Sequence, residues 1–144
     1  MKLGEALTLR ARQSQKLNDF RGRIASNVLV QEGDEPSEDV ESLLAHHNTL
    51  SVEHAALIMA INTANVNEAI LDMIVTRDHL RRKLSALRAV VSGATTTPFS
   101  YSRTEIKWTP LVDVALYQGM IEDTESEINV LDVKLQEVNW QVEL

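Results

Sequence analysis

The chain has 144 residues, 14 basic against 21 acidic side chains, no cysteine, 5 glycines and 3 prolines. Those counts exclude a disulfide framework, a Cys-ligated zinc or iron–sulfur site, a thiol nucleophile and a collagen-like or proline-rich linker. With 44% hydrophobic residues the chain has enough apolar surface for a core, and its length suits a single domain over residues 1–144.

The longest wholly apolar run, Ala55 to Ile61, falls far short of the ~20 residues that a membrane-spanning helix needs. Glu5 and Arg10 break up any signal-like apolar segment near Met1. The sequence therefore reads as cytoplasmic, with no membrane partner.

Charge is laid out in blocks. Residues 1–30 carry six basic and two acidic groups, residues 31–70 eight acidic and no basic ones. Residues 71–110 carry seven basic and three acidic, residues 111–144 one basic and eight acidic. Alternating blocks are what neighbouring antiparallel helices carry when their flanks attract. Each exposed pair contributes only about 0–1 kcal/mol, so the pattern selects neighbours more than it stabilises them.

The first helix is expected over about residues 2–20, with Leu3, Ala6, Leu7, Leu9, Leu17 and Phe20 apolar and a polar middle, Arg10 to Lys16. Asn27 to Gln31 is short and β-branched, closed by Glu32-Gly33-Asp34-Glu35-Pro36, and reads as a strand and turn. The second helix, about 37–62, opens among acids that favour a helix N-terminus. Its stripe is Val40, Leu43/Leu44, His47, Leu50, His54, Leu57/Ile58 and Ile61. Asn65 with Glu68 reads as a capping box for a third helix over about 66–92, whose seam is Leu80, Leu84, Leu87 and Val91 and whose stop is Gly93. Residues 99–108 read as a second strand, the partner of 27–31. Thr109-Pro110 opens a fourth helix over about 110–142. Its seam, Val114, Tyr117, Ile121, Thr124, Ile128, Leu131, Leu135, Val138 and Val142, alternates steps of three and four and is coiled-coil-like.

The expected fold is mainly α: about four long antiparallel helices in a bundle with a short two-stranded β appendage. Helices of this length run ~28 to 45 Å. Thin bundles bury little surface per residue, so the chain is read as a homo-oligomer.

Few constellations carry chemistry. His47 and His54 share a face but lie ~10.5 Å apart along the helix, too far to share one metal easily. With His79 they are the weak metal candidates; no i, i+4 histidine pair and no Glu-x-x-His is present. A second reading joins His47, His54, the polar middle of the first helix and Thr124 into a buried polar layer that fixes register. Arg77, Arg81, Arg82, Lys83 and Arg88 read as a salt-bridged helix face rather than a nucleic-acid surface, given the net negative charge and few aromatics. The acidic turn at Glu32–Glu35 lacks the ligand spacing of a calcium loop. No Gly-rich phosphate cradle precedes a helix, no cofactor is implied, and no nucleophile–base pair points to an enzyme.

The octet Tyr101-Ser102-Arg103-Thr104-Glu105-Ile106-Lys107-Trp108, with Asn27 to Pro36 and the closing Val138-Asn139-Trp140, resembles the septicolysin-like family of small actinobacterial proteins. The resemblance covers essentially the whole chain, including Arg77-Asp78-His79-Leu80-Arg81. Two segments depart from it: Ile61 to Asn65 lacks an arginine, and Gln141-Val142 stands in place of Thr-Thr. It implies no assigned catalysis. The family name implies a thiol-activated, pore-forming cytolysin, which a cysteine-free chain without barrel-forming hairpins does not match. Tyr101, Ser102, Arg103, Glu105, Trp108, Asn139 and Trp140 are taken as a structural or interface motif. The functional expectation is a self-associating, non-catalytic scaffold or binding module. The alternative is a metal or small-ligand site at a subunit interface using His47, His54 or His79.

Overall fold

The computed structural model describes residues 1–97 and 106–144. Over these residues the chain forms α1 (Leu3–Asn27), α2 (Val40–Asn67), α3 (Ile70–Thr95) and α4 (Val114–Gln141). It divides into two compact units, Met1–Ile70 with Val138–Leu144, and Leu71–Glu137. The mainly α, four-helix expectation holds.

In the first unit α1 and α2 form an antiparallel hairpin. Arg23 pairs with Glu38, Phe20 stacks on His46 at 6.3 Å between centroids, and Gln13 meets His54 at 3.2 Å. As the α1 number falls the α2 number rises, which is the signature of opposed directions. Leu3, Ala6, Phe20, Leu43, Leu57, Ile61, Ala64 and Ile70 are buried, so most of the apolar stripes expected of the first two helices face inward, whereas Leu9 and Leu44 are exposed. The chain ends join here. Leu3 N–H donates to the Val142 carbonyl at 2.9 Å and Leu144 N–H to that of Met1 at 3.0 Å, around an isolated antiparallel bridge of Lys2 with Glu143. At Gly4 an added Cβ would lie 3.3 Å from the Asn139 carbonyl and 3.4 Å from the Trp140 ring, so glycine lets that turn come close.

The second unit is built on α3 and α4. Leu80 and Leu84 bury against Ile128, with Ile121 and Leu131 packed on them. The flanks pair as the charge blocks predict: Arg77 and Arg81 reach Asp132 at 3.2 and 3.7 Å, and Arg88 reaches Glu125 at 2.6 Å. None of the α4 seam positions from Val114 to Val142 is exposed.

The β appendage is not seen. Asn27 ends α1, its amide donating to the Arg23 carbonyl at 2.9 Å while its side-chain oxygen accepts the Glu38 N–H at 3.0 Å. Val28 to Gln31 then run without regular structure, and Leu29 is 86% exposed. A strand needs a neighbour to take up its backbone groups. Of the expected partner 99–108, Phe99 to Glu105 lie outside the described residues, and Ile106 to Trp108 form no bridge.

Several helix ends also move. α1 and α2 run past positions 20 and 62, to Asn27 and Asn67, and α3 passes through Gly93 to Thr95. The expected box of Asn65 with Glu68 does not open a helix. Instead Ala69, at φ 54°, turns the chain into α3. α4 starts later than Pro110, where Asp113 accepts the Leu116 N–H at 3.3 Å. A carboxylate that satisfies an otherwise unpaired N–H sets the start, and the earlier Thr-Pro does not.

Candidate interaction face

His47 lies beside its neighbour Asn48, Nδ1 to Oδ1 3.4 Å, and His79 is exposed on α3. Among the described residues no group of three or more metal-ligating side chains forms. Of the expected polar layer, Gln13 meets His54 (Oε1 to Nδ1). Thr124 is buried but donates to the Met120 carbonyl of its own helix at 2.7 Å. Beside Gln13 and His54, Arg10, Ser14, Ile58 and Asn62 line a groove of about 560 Å³ that offers hydrogen-bond donors and no carboxylate.

The motif residues serve different ends. Tyr101, Ser102, Arg103 and Glu105 lie outside the described residues. Trp108 borders a cavity of about 460 Å³ with Val90, Ala94, Pro110 and Leu111. Asn139 and Trp140 make the close contact with Gly4 described above. Of the basic residues on α3, Arg77, Arg81 and Arg88 are committed to carboxylates of α4, as a salt-bridged face requires.

The most distinctive feature is a second apolar row on α2. The packed row is Leu43, His47, Leu50, His54, Leu57, Ile61 and Ala64, none of them exposed. Two residues later runs Ala45, Thr49, Val52, Ala56, Met59, Thr63 and Val66, with the same steps of four and three, every one exposed. An offset of two residues is ~200° around a helix, so the rows lie on opposite sides. Val52, Met59 and Val66, seven apart, are 72%, 71% and 66% exposed. Between Ser42 and Asn67 the only acid is Glu53, and no lysine or arginine occurs. A helix apolar on both sides is ordinarily covered on both. Sequence reading followed the row richer in leucine and missed this one. Its spacing and the uncharged run around it were the available signals.

A model of a family of unknown function, DUF6847, matches residues 10–144. The chain belongs to that family. This DUF6847 chain is also similar to a crystallised, functionally unknown conserved protein from Corynebacterium diphtheriae. The two share 29% identity at a TM-score of 0.89, over 100% of this chain and 98% of that one. No curated protein matches it. These findings overturn the septicolysin-like resemblance, since membership lies with DUF6847 and neither match carries that label. The cytolytic reading rested on that name and goes with it. Among the described residues no helix is long and apolar enough to cross a membrane.

Proposed function

We infer that this DUF6847 member is a self-associating helical protein, a non-catalytic scaffold or binding module of the bacterial cytoplasm. The observation that carries this reading is the outer row of α2, an apolar face at regular spacing left open to water. Burying apolar surface gains about 25 cal/mol per Å², and complete burial of a valine or methionine side chain gains about 1.5–3 kcal/mol. Exposed apolar rows of this kind mark protein interaction sites. A cysteine-free chain fits a compartment in which disulfides are not used.

The test is solution mass by light scattering on a sizing column over a tenfold concentration range. The chain should elute as a multiple of 16.1 kDa. The variant Val52→Gln, Met59→Gln, Val66→Gln should elute as a monomer with unchanged helical circular dichroism. A wild-type monomer at every concentration overturns the reading, as does a variant that keeps its assembly.

A further inference from the structure

We propose that the outer row of α2 takes a second copy of this chain, α2 against α2, antiparallel, about a two-fold axis beside Ala56 and Met59. The inference rests on the self-association reading and specifies its partner and geometry.

From Thr49 onward the row alternates two sets, Thr49, Ala56 and Thr63 with Val52, Met59 and Val66. In an antiparallel pair of helices each layer draws one residue from each set, because reversing one helix places the two kinds of position opposite each other. Thr49 then meets Val66, Ala56 meets Met59, and Thr63 meets Val52. The central layers set small Ala56 against long Met59, which fills space evenly, and the outer layers match threonine with valine, side chains of nearly equal size. Parallel pairing would instead put Met59 on Met59 and Ala56 on Ala56, a crowded layer beside a hollow one. The antiparallel register covers Val52, Met59 and Val66, the large apolar side chains that the row leaves exposed.

Charge selects the same direction. Three acids, Glu38, Asp39 and Glu41, cluster at the N-terminal end of α2, whereas its last turn holds Asn65 and Asn67 and a single acid, the capping Glu68, follows it. Parallel pairing would bring the acidic ends of two copies side by side. Antiparallel pairing carries each acidic end past the C-terminus of the other helix. The lone acid of the face, Glu53, falls level with Asn62 of the second copy rather than with its own counterpart. Other occupants fit less well. A helix lying on a membrane surface carries basic flanks, and residues 24–76 hold no lysine or arginine. A charged partner finds only Glu53 on this face to pair with. A two-fold contact also closes on itself and leaves no open face for further copies.

The absence of cysteine makes the test clean. Thr49→Cys and Val66→Cys are prepared as separate full-length variants and oxidised singly and as an equimolar mixture. Their positions are ~25 Å apart along one helix, far beyond disulfide reach of about 7 Å. Antiparallel pairing predicts a covalent dimer in the mixture alone, joining one variant to the other by mass spectrometry. A dimer formed by either variant on its own overturns the proposal in favour of parallel pairing. If scattering shows an assembly and neither the mixture nor the single variants cross-link, the contact lies on another face; this geometry then fails while self-association stands. A monomer by scattering removes both.

Discussion

Asp39 shows how much one side chain decides at a helix end. Its carboxylate accepts the Ser42 N–H at 2.9 Å and so satisfies one of the unpaired donors that open α2. Asp39→Ala should lower stability by about 1 kcal/mol, read as a reduced urea midpoint with an unchanged slope. No change at all would mean that water replaces the cap without loss. The acids around this residue made the start of α2 legible in the sequence. The start of α4 was not, because Thr109 and Asp113 are both good caps and only the structure shows which carries the hydrogen bond. His46 was overlooked for the opposite reason. It lies off the inward row, yet its ring stacks on Phe20, a contact that no spacing within α2 encodes.

Elements are legible where one face is packed and the other wet. Leu80, Leu84 and Leu87 of α3 and Ile128 and Leu135 of α4 sit where their three–four spacing puts them, and all are buried. Leu84→Ala should cost about 2–5 kcal/mol, since the neighbours Leu80 and Ile128 cannot fully close the cavity. Val133→Ala, on the 56% exposed side of α4, should stay within about 0.5 kcal/mol. Equal losses in thermal or urea unfolding would mean that the burial pattern is wrong. The same logic explains where the pattern fails. Val28 to Val30 have strand-like composition, but a strand depends on a neighbour that local sequence does not specify, and Leu29 lies open to water. α2 hid half its information because both of its sides are apolar, so picking one stripe concealed the other.

At the scale of the whole molecule the charge blocks predict partners inside each hairpin: basic α1 against the acidic entry to α2, and basic α3 against acidic α4. Arg23 forks onto Glu38, with Nε to Oε2 at 2.8 Å, and Lys2 clasps Glu143 at 2.9 Å across the chain ends. The hydrogen bond from Arg23, opposed by some desolvation and aided by the same residue's charge, holds the Glu38 carboxyl below its ordinary 4.5. The hydrogen bond and charge of Lys2, with the N-terminal ammonium, do the same for Glu143. A carboxyl with a lowered value in the folded state binds protons less readily there than when unfolded. Its contribution is therefore complete above about pH 4.5 and fades as pH falls through the folded value. Both pairs are exposed to solvent, so the effect is modest and weakened by salt. Urea unfolding should show wild type losing stability between pH 7 and 3, and Glu38→Gln with Glu143→Gln losing measurably less over the same interval. The difference should shrink in 1 M salt, where the screening length is about 3 Å. Identical acid profiles would show that these pairs choose neighbours without stabilising them, and that the apolar rows alone hold the hairpins together.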